Sequence, residues 1–147
     1  PPRTLPSSAA PAAPLFTPRL VLRPAGARDR IALAPLWHQS PTRRWLIEAA
    51  DGNEVLGFAA LRGRADGRLE PWVALLPRHR GQGHAQDALR TLLWHAQGGQ
   101  RGASFVAVCD VPDHAADRQL RRVGFVPGYE ADGVPRRCRQ YTLSMVA

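Results

Sequence analysis

Apolar and polar residues change period several times along the chain, and the changes divide it into elements. From Arg19 to Pro24 the run RLVLRP alternates Leu20 and Leu22 with Val21 and Arg23, which predicts a short strand ended by Pro24. Residues 26–38, GARDRIALAPLWH, space Ile31, Leu33, Leu36 and Trp37 weakly as a helix would, but Pro35 interrupts them, so only a short or kinked helix fits. Two β-rich runs follow, RWLIEAA and EVLGFAALR, joined across Asp51-Gly52-Asn53, where a glycine with positive φ would suit a tight hairpin. A second turn at Ala65-Asp66-Gly67 leads into RLEPWVALLP, so three consecutive antiparallel strands are expected.

After Pro77 the period becomes helical. Ala85, Ala88, Leu89, Leu92, Leu93 and Ala96 recur at three and four, giving one apolar stripe until Gly98-Gly99 stops it. SFVAVCDV (104–111) reads as a buried strand, and HAADRQLRRVG as a helix that turns Ala116, Leu120 and Val123 inward and is capped by Gly124. The tail offers two more strands around Asp132-Gly133. Strand, short helix, three strands, helix, strand, helix and two strands make an α/β fold with a mixed, mostly antiparallel sheet of about seven strands and flanking helices. Residues 1–18 interleave proline with alanine and serine, and proline cannot enter a helix interior or central strand. We therefore expect a disordered leader over residues 1–16 and a single domain over 17–147.

Composition narrows the function classes. The 20 basic residues against 12 acidic give a net charge of +8, and all 20 are arginine. They are scattered from Arg3 to Arg139 without a long block or interleaved aromatic residues. Such a pattern is a solvated arginine coat or a surface for an acidic partner, and nothing in it favours nucleic acid. Cys109 and Cys138 form no CxxC, and His38, His95 and His114 have no ligand spacing, so no metal is expected. No apolar run approaches the ~18–20 residues that span a bilayer, and no basic start precedes an apolar segment. Together with free cysteines this points to a cytoplasmic protein that does not engage a membrane.

The chemistry concentrates at "LLPRHRGQGHAQDAL", where a strand delivers its end into Arg-Gly-Gln-Gly at a helix start. First-turn N–H groups lack intrahelical partners and carry the positive end of the helix dipole, which suits an anion. Gly81 and Gly83 let a phosphate approach the backbone, and Arg78 and Arg80 supply charge. A Walker A loop needs a lysine, which the chain lacks. A dinucleotide GxGxxG matches at Gly81 and Gly83 but fails at Gln86, and its acidic partner would be Asp110, 29 residues past Gly81 instead of about 20. A plain helix start with a chance GxG also remains open.

The run Arg78-His79-Arg80-Gly81-Gln82-Gly83 further resembles the [QR]-x-x-G-x-[GA] acyl-CoA signature of the GNAT superfamily of N-acetyltransferases. "TPRLVLRP" resembles the opening strand of the subgroup that includes the Rim-type ribosomal-protein N-terminal acetyltransferases. "DHAADRQLRRVGF" resembles their later motif, which ends in Gly124-Phe125.

This resemblance implies acetyl-CoA as co-substrate, lying in a cleft between the fourth and fifth strands. Val73, Leu75 and Leu76 would pair with its pantetheine arm, and Arg78, Arg80, Gly81, Gln82, Gly83, His84 and Ala85 would hold its pyrophosphate. The N–H near Leu75 would polarise the thioester, and Glu70 would act as base through water, with Glu48 a second choice. Asp113 stands where the family has an asparagine contacting the cofactor. The family's tyrosine acid is replaced by Leu120, so Tyr129 or Tyr141 would substitute from the last hairpin, or water would protonate the thiolate. The acceptor would be a primary amine, on a protein N-terminus or a small molecule, with Trp37, Trp45 and Trp72 available to line its groove, and a homodimer paired through the last strands would be ordinary for this architecture. A non-catalytic acyl-CoA-binding module is the alternative reading.

Overall fold

A computed structural model describes residues 13–26, 29, 42–52, 54–99, 102–111, 113–132 and 137–144, with backbone alone for Thr42, Gly99 and Tyr129 to Asp132. Among these residues eight strands form one sheet: β1 (Leu15–Phe16), β2 (Leu20–Pro24), β3 (Thr42–Ala49), β4 (Val55–Gly63), β5 (Leu69–Leu75), β6 (Ser104–Asp110), β7 (Val126–Asp132) and β8 (Arg137–Ser144). Their order is β1-β2-β3-β4-β5-β6-β8-β7, and every neighbouring pair is antiparallel except β5 with β6. Helix α1 (His84–Gly99) makes the crossover between the parallel strands, and α2 (His114–Val123) joins β6 to β7.

One face of the sheet is the core. Leu20, Leu22, Trp45, Ile47, Ala59, Leu61, Leu69 and Leu75 meet the stripe Ala88, Leu89, Leu92, Leu93 and Ala96 of α1. Each fully buried aliphatic of this set contributes about 1.5–3 kcal/mol. Gly124, at φ 110, ends α2 with its N–H on the carbonyls of Arg121 and Leu120, a conformation that glycine adopts without strain.

Three sequence expectations are amended. Leu15 and Phe16, assigned to the leader, pair instead with Leu22 and Val21, which raises the strand count and makes the expected fourth and fifth strands β5 and β6. The first hairpin does not use a positive-φ Gly52, whereas the second turn does place Gly67 at φ 85. Helix α1 continues through Gly98 and Gly99. The short helix expected over residues 26–38 lies outside the described residues, save Gly26 and Asp29. No helix among the described residues is long and apolar enough to cross a membrane.

Candidate active site

The parallel pair opens almost as soon as it forms. Strands β5 and β6 share one register pair, Leu69 with Phe105. Beyond it β5 stays on β4 up to Leu75 opposite Gly57, while β6 stays on β8 up to Asp110 opposite Cys138. The sheet therefore splits in a V with its apex at Leu69.

Antiparallel geometry decides which backbone groups line the split. Leu76 N–H donates to the Leu56 carbonyl at 2.9 Å. Because bonding direction alternates along a strand, Glu70, Trp72 and Ala74 bond to β4, whereas Pro71, Val73 and Leu75 turn their polar groups toward β6. Pro71, with no N–H, sits where no donor is required. Arg80 Nε reaches the Leu75 carbonyl at 3.1 Å, as that orientation demands.

From the open end of β5 the chain makes a 3-10 turn over Pro77–His79 and extends at Arg80. It then passes through Gly81 and Gly83 at φ 79 and 83, values that side chains larger than glycine rarely tolerate. Helix α1 starts next, with Asp87 N–H on the Gly83 carbonyl at 3.2 Å. The N–H groups of Gly81 to Ala85 have no acceptor among the described residues, and a Cβ on Gly81 would meet nothing within 4 Å. A row of free donors thus faces open space at a positive helix terminus.

The structure brings Leu75, Leu76, Arg80, Gly81, Gln82, Gly83, His84 and Ala85 together at the mouth of the V, with Val73 one step inside. Arg78 is turned aside: its Nε donates to His79 Nε2 at 3.0 Å and its Nη2 lies 3.4 Å from Glu54 Oε1. Nδ1 of His84 is buried and has no partner among the described residues. Asp113 caps α2, accepting the Ala116 N–H at 3.0 Å, so one of its oxygens is already committed. Cys109, on β6, has its thiol pushed up by burial, which makes it a poor nucleophile.

Glu70 lies beside the apex, on the sheet face opposite the core, only 5% exposed. Arg64 Nη1 donates to its Oε2 at 2.9 Å. Glu48 is engaged by Arg23. Tyr141, 2% exposed, donates its hydroxyl to Asp117. Burial and then that carboxylate push its hydroxyl well above the usual phenol range, while the tyrosine bond and Arg121 hold Asp117 below the usual carboxylate range. Such a phenol is a poor proton donor. The side chain of Tyr129, on β7, lies outside the described residues. Trp45 is fully buried on the core face and so cannot line an acceptor groove, whereas Trp72 shares the face of Glu70 and is 39% exposed. Trp37 lies outside the described residues.

Two further residues shape the site that were not among the candidate site residues. Arg19 reaches across to the loop, and Gly57 lets β4 pass close under Leu75. A Cβ on Gly57 would stand 2.1 Å from the Ala74 carbonyl oxygen.

A profile of the acetyltransferase (GNAT) domain matches residues 9–126. The chain belongs to the GNAT acetyltransferase family. It is accordingly an acyltransferase, and the V in the sheet and the glycine loop belong to a GNAT fold. No curated protein sequence matches the chain. Among solved structures, an acetyltransferase from Agrobacterium tumefaciens has a TM-score of 0.75 at 17% identity, covering 94% of this chain and 98% of that one. RimL, a ribosomal-protein alpha-N-acetyltransferase in complex with coenzyme A, has a TM-score of 0.75 at 18% identity, covering 90% and 98%. The spermidine/spermine N-acetyltransferase SpeG from Vibrio cholerae has a TM-score of 0.69 at 16% identity, covering 86% and 92%.

Proposed function

We propose that this GNAT chain moves the acetyl group of acetyl-CoA directly to a primary amine. The observation that carries the reading is the continuity of the gap-facing backbone of Val73 and Leu75 with the free amides of Gly81 to Ala85. An extended thioester arm with a pyrophosphate at its end matches that track, the arm along the strand and the phosphates on the loop.

In this reading the Leu75 N–H polarises the thioester carbonyl. The amine lone pair attacks the carbonyl carbon, and the C–S bond breaks as the tetrahedral intermediate collapses. Glu70 receives the amine proton through a water, and the departing thiolate takes a proton from Tyr129 or from solvent. No acyl-enzyme forms.

The acceptor is a primary amine with an acidic group close by, a protein N-terminus fitting better than a polyamine. Arg62 stands in register with Glu70, and its Nε is buried without a partner among the described residues. A guanidinium beside the base attracts a carboxylate and repels a polycation.

Calorimetric titration with acetyl-CoA tests the co-substrate, run beside a Gly81→Asp/Gly83→Asp double variant whose side chains obstruct the loop. Saturable binding by the parent and none by the variant is expected. Absence of binding by the parent would overturn the reading. A screen of amines with and without a neighbouring carboxylate then tests the acceptor class.

A further inference from the structure

We infer that Arg19 is a positioning residue that locks the Gln82-Gly83 peptide so that the loop presents a donor, not a carbonyl, to the pyrophosphate. The inference rests on the acetyl-CoA reading for its ligand and on the geometry alone for the lock. Arg19 Nη1 donates to the Gln82 carbonyl at 2.9 Å, while Nε and Nη2 both donate to Asp87 Oδ2, at 3.0 and 2.7 Å. One guanidinium therefore joins the loop to the first turn of α1.

A trans peptide points its N–H and C=O in opposite directions. Drawing the Gln82 carbonyl to Arg19 therefore aims the Gly83 N–H to the other side. The residues flanking Gln82 are the two positive-φ glycines, whose low torsional barriers would let the intervening peptides turn over. A reversed Gln82-Gly83 peptide would set a carbonyl oxygen against an anion. Separately from the lock, Arg19 neutralises the carboxylate of Asp87 in the first turn, where an uncompensated negative charge would oppose an anion.

The backbone of Arg19 is fixed on both sides, while its side chain is 47% exposed. Thr17 Oγ1 accepts the N–H groups of Arg19 and Leu20, and the Arg19 carbonyl accepts the N–H of Ala50 at 2.9 Å. Leu20 and Leu22, which follow, are fully buried. The guanidinium works from one side of the loop, in an open depression of about 530 Å³ shared with Pro18, Glu54, His79, Gln82 and His84.

The test compares the parent with Arg19→Ala, Arg19→Lys and Asp87→Asn. Acetyl-CoA affinity, the split between KM and kcat, and amide relaxation dispersion at Gly81 to Gly83 are measured on each. Arg19→Ala is expected to weaken binding roughly ten- to a hundredfold, raise KM with kcat within about twofold, and introduce exchange broadening at Gly83. Arg19→Lys, which keeps the charge but loses the fork, should fall between and covers the case in which the alanine variant does not fold. Asp87→Asn retains the Gln82 bond and should bind no more weakly than the parent. If Asp87→Asn reproduced Arg19→Ala, the guanidinium would serve only the ion pair and the lock would be wrong. Unchanged affinity and unchanged loop signals in Arg19→Ala would overturn the lock while leaving the acetyl-CoA reading intact. Should the parent fail to bind acetyl-CoA, that reading falls. Loop exchange in Arg19→Ala then still supports the lock, and its absence refutes it.

Discussion

Arg64 holds Glu70 by a 2.9 Å bond from Nη1 to Oε2, next to the apex where the sheet divides. The pair leaves Oε1 of the carboxylate without a protein donor among the described residues, open to the water that the proposed mechanism requires. Glu70→Gln preserves the side-chain volume and removes the proposed base. We expect kcat to fall about 10²–10⁴-fold with acetyl-CoA affinity little changed. Steady-state kinetics beside a calorimetric titration decides it, and an unaltered kcat would reduce Glu70 to an anchor for Arg64. Arg64→Ala should cost about 1–2 kcal/mol of stability, a figure already discounted for the partial exposure of the arginine.

Gly57 governs the open end of β5. The Cβ of an alanine there would lie 2.1 Å from the Ala74 oxygen and 2.8 Å from the Leu75 Cα, and neither is a flexible side-chain tip. Gly57→Ala must therefore push β5 away from β4 at the residue that faces the gap. An unfolding free energy lower by about 1–3 kcal/mol and a loss of acetyl-CoA affinity are both expected. Denaturant titration together with calorimetry measures the two; wild-type values for both would show that β5 has room to move.

Much of this was legible before the structure because it is local. The stripe from Ala85 to Ala96, the glycine pair at Gly81 and Gly83, and the helix stop at Gly124 each follow from period or from φ. Tertiary facts were not legible. The bond from Arg19 to Gln82 spans 63 positions, and although Arg19 lies in the motif of the first strand, nothing there says that its side chain reaches the loop. Gly57 reads as an ordinary strand glycine until β5 is laid against it. Leu15 and Phe16 are too short a run, among prolines, to announce a strand. In the sequence Tyr141 is as available as any tyrosine, and the carboxylate that holds it comes from a different element, α2.

His95 gives the fold a dependence on pH. It lies on α1, edge-on to Trp45 with ring centroids 5.8 Å apart. Burial first, and the charge of Arg43 second, lower its pKa from the ordinary 6.5. Protonation therefore occurs more readily in the unfolded chain, which binds more protons just below the ordinary value. The contribution to stability is complete above 6.5 and is lost as the pH falls from there toward the lower folded value. Melting temperature should drop between about pH 7.5 and about pH 5.5, and His95→Phe, which keeps the edge contact without a titrating ring, should flatten that drop. Parallel pH profiles for parent and variant would refute the assignment.

Substitutions at Asp113 can separate its capping role from the proposed one toward the co-substrate. Its Oδ1 caps α2 through the Ala116 N–H, and an asparagine side chain can cap equally well. Asp113→Asn should leave the unfolding free energy within about 0.5 kcal/mol, whereas Asp113→Ala should lower it by about 1 kcal/mol. Asp113 also follows the open end of β6, so its negative charge opposes an anionic ligand in the gap. Removing that charge while keeping the cap should tighten acetyl-CoA binding by a few-fold, an effect that diminishes with added salt. Calorimetry at two ionic strengths measures it. Identical affinities for parent and asparagine variant at low salt would mean that the bound anion passes too far from α2 to sense its first residue.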